Sequence, residues 1–190
     1  MAIERIGVIG AGQMGTGISH VLALAGYDVV LDDINKDALA KAVGLVEKNM
    51  QRQLHKGLIK EEQIKPALAR IRVTQTLDDL KDRELVIEAA TEDEGIKKKI
   101  FQDLCTRISD KAMIATNTSS ISVTRLASST DRPESFIGLH FMNPVPVMQL
   151  VEVIRGIATD DATFDAARGF VTALGKQIAV SEDFPAFIVN

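Results

Sequence analysis

Apolar positions along this chain fall into short continuous runs and into helical-period faces, and the two kinds of segment take turns. The first run, Ile6-Gly7-Val8-Ile9, is bounded by Gly10 and reads as a buried strand. Met14, Ile18, Val21, Leu22 and Ala25 then recur at helical spacing, which predicts a helix over residues 13–25 that Gly26 stops. A second strand is predicted over 28–32. Residues 36–56 carry Leu39, Val43, Val46 and Met50 along one face and end at Gly57, and residues 60–69 carry Pro66, which must start or kink a turn of helix. Together they predict a helical hairpin over about 36–69. Strands follow over 71–74, 85–89 and 113–116, with a helix over 94–109 before the last of them; its Lys97-Lys98-Lys99 run reads as a solvated face. Beyond lie a short helix over 122–127 and a strand over 136–139 that ends at His140. Asn143-Pro144-Val145-Pro146 then forces an extended connection. A strand over 150–154 follows, then a helix capped by Thr159 and stopped at Gly175, then a strand over 177–180. This alternation predicts an α/β fold: a doubly wound, mainly parallel sheet with helices on both faces and the hairpin inserted in it, all in one unit of residues 1–190.

The turn after the first strand changes that picture from a fold to a site. Gly10, Gly12 and Gly15 have the Gly-x-Gly-x-x-Gly spacing of a Rossmann-type dinucleotide loop. Gly10 permits the tight turn, Gly12 lets backbone approach a pyrophosphate, and Gly15 lets the helix lie close to the strand. Asp33 stands about 20 residues further on, where a carboxylate can accept hydrogen bonds from the ribose of NAD; the competing reading is a cap of the next helix. Asp32 and Asp33 would repel a 2′-phosphate, and no arginine follows in Ile34-Asn35-Lys36 to receive one, so NAD is expected over NADP.

Composition mainly excludes. With 46% hydrophobic and 25% charged residues in 190, the chain has the make-up of an ordinary globular domain. A formal charge of -4 offers no basic surface for nucleic acid, and 4% aromatics with no Trp argue against a base-stacking platform. No apolar run is long enough to cross a bilayer, and the first strand starts so near Met1 that a targeting peptide is not expected, which points to the cytoplasm. Cys105 is the single cysteine, read as buried packing, so neither a disulfide framework nor a metal site is expected.

In an open α/β sheet, ligands bind outside the carboxyl ends of the strands. Gly10, Asp33, Glu92, Asn117 and His140 all fall at such ends. An unperturbed imidazole titrates at about pH 6.5, so His140 is a natural proton acceptor, although a strand-end histidine taken alone is more often structural. Glu152, on the next apolar strand, either faces outward or is buried and needs a partner, for which a histidine is suited. His20 and His55 lie within helix patterns and acquire no role.

Taken together, Gly10-Ala11-Gly12-Gln13-Met14-Gly15, Ile87-Glu88-Ala89-Ala90-Thr91-Glu92, Asn117-Thr118-Ser119-Ser120 and the run from His140 to Met148 resemble the L-3-hydroxyacyl-CoA dehydrogenase family, most closely its bacterial 3-hydroxybutyryl-CoA branch. The resemblance implies an oxidoreductase of fatty acid or butyrate metabolism that interconverts L-3-hydroxyacyl-CoA and 3-ketoacyl-CoA with NAD. It implies His140 as base, Glu152 as its partner, and Ser119 and Asn190 at the substrate oxygens. It implies a cofactor set of Gly10, Gly12, Gln13, Met14, Gly15, Asp33, Glu92, Lys97, Asn117 and Asn143, and Lys56 at the CoA phosphates. Two departures stand out: Pro185-Ala186-Phe187 replaces the usual Pro-Gly-Phe, and Phe141-Met142 replaces Phe-Phe. Family members continue into a helical second domain, beginning here at about 185–190, through which they dimerise; residues 1–190 alone are expected to turn over weakly or not at all. Two other readings are a dehydrogenase of a free hydroxy acid, of the gulonate type, and a non-catalytic NAD-binding protein of the same fold.

Overall fold

The computed structural model describes residues 3–183. In chain order the elements are β1 (Arg5–Ile9), α1 (Gln13–Leu24), β2 (Asp28–Asp32), α2 (Lys36–His55), α3 (Glu61–Ala69), β3 (Ile71–Thr74), β4 (Leu85–Glu88), α4 (Glu94–Cys105), β5 (Met113–Thr116), α5 (Val123–Ala127), β6 (Phe136–Phe141), β7 (Leu150–Arg155), α6 (Asp161–Ala173) and β8 (Gln177–Glu182). Eight strands form one sheet in the order β3-β2-β1-β4-β5-β6-β7-β8. The first six run parallel; β7 turns back antiparallel to β6, and β8 runs parallel to β7. Strand order reverses between β1 and β4, and such a switch point opens a crevice at the carboxyl edge of the sheet.

The central strands are apolar on both faces because helices cover both. Ile6, Val8, Leu85, Ile87 and Leu139 pack with Ile18 and Leu22 of α1 and Val171 of α6. On the opposite face Val30, Val86, Ile114 and Phe136 pack with Phe101 and Leu104 of α4 and Leu126 of α5. Phe101 and Phe136 meet edge to face at 4.9 Å between ring centres, and burying each contributes roughly 1.5–3 kcal/mol. The hairpin has a core of its own, with Val46 and Met50 of α2 against Ile64 and Ala67 of α3 and Ala23 of α1.

Several expectations are corrected at this level. Pro66 does not start a helix but lies inside α3, where burial of Ile64 and Ala67 in the hairpin core offsets a penalty of about 3 kcal/mol. Thr159 does not cap α6. Asp160 does, accepting from the Thr163 amide, while Thr159 is buried, donating to the Phe136 carbonyl at 2.7 Å and accepting from the Gly156 amide. α4 ends at Cys105, well short of residue 109, and Cys105 is half-buried. β6 runs on through His140 to Phe141, which places the histidine within the sheet.

Candidate functional site

The crevice at the switch point is built first by glycines. Gly10 has a φ of 101°, and a Cβ there would lie 2.6 Å from the Ala89 carbonyl oxygen of the neighbouring strand end. A Cβ on Gly15 would lie 1.8 Å from the Gly10 carbonyl oxygen, so α1 approaches β1 only because none is present. Gly12 differs, since a Cβ there would meet nothing within 4 Å. Packing of this chain therefore demands Gly10 and Gly15, whereas the open space at Gly12 is room for something else. Gly12 is also the N-cap of α1 and no side chain caps it, so the first-turn amides face the crevice ready for an anion. Gln13 is exposed there, while Met14 is half-buried against the core.

A cleft of about 820 Å³ leads from Gly10 and Gly12 past Asp32 and Asp33 to Thr91, ample for a dinucleotide half. Asp33 does not cap α2, which Asn35 caps by accepting from the Asp37 and Ala38 amides. Its carboxylate instead accepts from the Ala11 amide at 2.7 Å and the Asn35 amide at 2.8 Å, tying the glycine loop to the end of β2. Asp32 is buried; burial, with Asp33 and Asp79 close by, pushes its carboxyl up to about 6.

On the other side of the crevice, the reading of the α4 lysine run as a solvated face holds for exposed Lys99 and fails for Lys97. Lys97 is 1% exposed, with Nζ 2.7 and 2.8 Å from the two oxygens of Glu88, itself fully buried at the end of β4. Glu88 also accepts from the Thr116 hydroxyl and the Ala90 amide, so its lone pairs are satisfied. Lys97 lies 3.6 Å from Glu92 as well. Glu92 in turn gathers the loop after β5: its Oε1 accepts from the Thr118 hydroxyl and from the amides of Ser119 (2.9 Å) and Ser120 (3.2 Å). Burial disfavours the Glu92 carboxylate, but these hydrogen bonds, with Lys97 beside it, outweigh that and hold the carboxyl below its ordinary range.

The pairing of β6 with β7 sets the third part. In their antiparallel register His140 stands directly opposite Glu152, and His140 Nδ1 lies 2.7 Å from Glu152 Oε2. Glu152 is fully buried and His140 nearly so. With Nδ1 committed to a carboxylate, any proton exchange by the ring with another group would go through Nε2. Asn117 Oδ1 accepts from the Phe141 amide at 2.8 Å and pins the end of β6 to β5. The segment after it is pressed onto α1, where a Cβ on Gly17 would lie 2.9 Å from Val145 Cβ. Lys176 Nζ donates to the carbonyls of Val145 and Met148. Asn143 is exposed at the start of that segment.

Of the residues singled out from sequence, Ser119 and Glu92 are joined, as are His140 and Glu152, and Gly10, Gly12 and Asp33 share the cleft. Lys56 is exposed as the C-cap of α2, at the tip of the hairpin. Asn190 and the Pro185-Ala186-Phe187 departure lie outside the described residues. Glu88, Thr116 and Lys176 were not anticipated. A carboxylate inside a fully apolar central strand was a readable signal for Glu88, because such a group must be paired. Among the described residues no cluster of metal-ligating side chains occurs, and no helix is long and apolar enough to cross a membrane.

Residues 5–184 match the family described as 3-hydroxyacyl-CoA dehydrogenase, NAD binding domain. A 3-hydroxybutyryl-CoA dehydrogenase of Bradyrhizobium diazoefficiens is 60% identical over 188 residues, covering 99% of this chain and 64% of the relative. A probable 3-hydroxybutyryl-CoA dehydrogenase of Deinococcus radiodurans is 44% identical, covering 98% of this chain and 66% of its own length. The crystal structure of (S)-3-hydroxybutyryl-CoA dehydrogenase from Ralstonia eutropha superposes with a TM-score of 0.97 at 43% identity, covering 100% of this chain and 67% of that one. The chain thus spans about two thirds of the length of the relatives it matches.

Proposed function

The chain belongs to the 3-hydroxyacyl-CoA dehydrogenase family as its NAD-binding domain, and from that premise we propose that it serves a longer cytoplasmic protein that interconverts L-3-hydroxyacyl-CoA, 3-hydroxybutyryl-CoA in particular, and 3-ketoacyl-CoA. The remainder of that protein forms a helical domain that closes the acyl-CoA site and carries the dimer contact. The observation that carries the reading is the buried His140–Glu152 pair at the carboxyl edge of a dinucleotide-binding sheet. The names of the relatives favour a CoA thioester over a free hydroxy acid, and an enzyme over a non-catalytic binder.

In oxidation, His140 Nε2 takes the proton of the substrate hydroxyl as the hydride leaves C3. Bound NAD supplies the hydride acceptor. Glu152, held out of water, orients the imidazole through Nδ1 and stabilises the imidazolium that forms. Ser119 and Asn190 hydrogen-bond the oxygen ligands of the substrate, and Lys56 receives CoA phosphate charge. The glycine loop and the first turn of α1 receive the pyrophosphate, and Asp33 the adenosine ribose. Glu92, Lys97, Asn117 and Asn143 complete the cofactor side, with Lys97 acting through Glu92 and Asn117 through the end of β6.

Steady-state kinetics of the full-length protein with acetoacetyl-CoA and NADH test this reading. His140→Gln and Glu152→Gln should each lower kcat by about 10²-fold or more, with NADH affinity nearly unchanged. Full activity in His140→Gln would refute the assignment of the base.

A further inference from the structure

Asp183 follows β8 at the far edge of the sheet, yet its carboxylate reaches back to the chain just after Ser119. Its Oδ2 accepts from the Ser122 hydroxyl at 2.7 Å and the Thr124 amide at 2.8 Å, and its Oδ1 accepts from the Val123 amide at 2.8 Å. Burial works against the charged form, but the hydrogen bonds from Thr124, Ser122 and Val123 outweigh it and hold the carboxyl below its ordinary range. Ser122, so fixed, accepts from the Arg125 amide and starts α5. α5 is only five residues long and cannot hold its own shape by helical hydrogen bonding, so external partners set its position.

On the other side of Ser119 the same stretch is held by Glu92, through Thr118, Ser119 and Ser120. Residues 118–124 are thus suspended between two carboxylates from distant parts of the chain, and only Ile121 lies between the two sets of contacts. Ile121 is itself tied down, its amide donating to the Thr118 hydroxyl at 3.0 Å. Charge-assisted hydrogen bonds are the stronger kind, and three donated by consecutive residues to one carboxylate leave that end of the segment little freedom.

We propose that Asp183 is a positioning residue for the proposed reaction, holding residues 122–124 so that the loop presents the Ser119 hydroxyl to the substrate oxygen beside His140. It rests on the reading of Ser119 given under Proposed function. In that role Asp183 acts through the loop alone, by way of Ser122, Val123 and Thr124.

A double-mutant cycle on the full-length protein tests this, with acetoacetyl-CoA and NADH as substrates. Asp183→Asn turns one acceptor oxygen into a donor facing backbone amides; it should lower kcat about tenfold and leave NADH dissociation within about twofold. In a Ser119→Ala background the same substitution should cost less than about twofold, because the group it positions is gone. Loss of fold alone would move NADH affinity and would cost the same factor in both backgrounds. Ser122→Ala removes one donor and the cap of α5 while leaving the Val123 and Thr124 amides on the Asp183 carboxylate, and it should show the same background dependence with a smaller drop, which decides the matter if Asp183→Asn does not fold. An unchanged kcat in both variants, or equal losses in the two backgrounds, would overturn the proposal while leaving Ser119 in its role. Full activity in Ser119→Ala alone would overturn both.

Discussion

Asp32 ends β2 as a buried acid within the cleft, beside Asp33 and near Asp79. Its carboxyl, raised from 3.8 to about 6, binds a proton more tightly folded than unfolded. The folded state therefore holds more protons than the unfolded chain between about pH 4 and 6, and stability contributed by the neutral acid is lost as pH rises through that window. Asp32→Asn keeps the shape and removes the charge. Without cofactor it should be more stable than the parent by roughly 1–2 kcal/mol at about pH 7.5, after allowing for solvent screening, and nearly equal to it at about pH 4. Urea unfolding at both pH values is the check, and a stabilisation of equal size at both would show that the charge is not the cause.

At the scale of the element, the β1–α1 turn separates two jobs of glycine that look alike in sequence. A Cβ at Gly15 would collide with the Gly10 carbonyl, so Gly15→Ala should push α1 off β1 and cost roughly 2–4 kcal/mol of stability along with NAD binding. A Cβ at Gly12 meets nothing of this chain. Gly12→Ala should leave the melting temperature of the cofactor-free protein within about a degree or two, yet weaken NAD at least about tenfold, because the methyl takes pyrophosphate space. Thermal melts beside calorimetric NAD titrations distinguish the two variants. An undiminished NAD affinity in Gly12→Ala would mean that the phosphates lie elsewhere.

Across the whole molecule, the two sides of the sheet close cores of their own, and the cleft beside the glycine loop is lined by residues of the sheet edge and α4. The acyl side is different. Val147 and Met148, in the segment that follows His140, are 67% and 39% exposed, and under the proposed function they would face the acyl chain and the second domain. A protein of residues 1–190 alone should therefore bind NAD with affinity close to that of the full-length protein and reduce acetoacetyl-CoA at least about 10²-fold more slowly, for want of a closed, water-excluding site. Side-by-side titration and turnover measurements check both halves. Equal turnover would show that the proposed second domain is dispensable for chemistry.

The parts of this protein legible in its sequence are those encoded by local spacing. The β/α alternation, the glycine turn and the hairpin follow from which neighbouring side chains share a face, and periods of 2 and 3.6 are properties of the covalent chain. His140 and Glu152 were readable as candidates for the same reason, each marking a polar position in an apolar run. Their pairing is implied by the family resemblance, but the residue pattern alone leaves it open, because it depends on β7 turning back antiparallel to β6 in one register; a slip of a single residue would send Glu152 to the opposite face. Lys97 looked like a solvated lysine because the carboxylate that buries it sits on another strand, and only the packing of α4 against β4 brings them to 2.7 Å. Thr159 looked like a cap because its spacing from the helix is right, and it was drawn inward by the carbonyl of Phe136, 23 residues earlier. Asp183 gave no local sign at all: its partners lie 59 to 61 residues back, and a contact of that range exists only once the sheet has assembled.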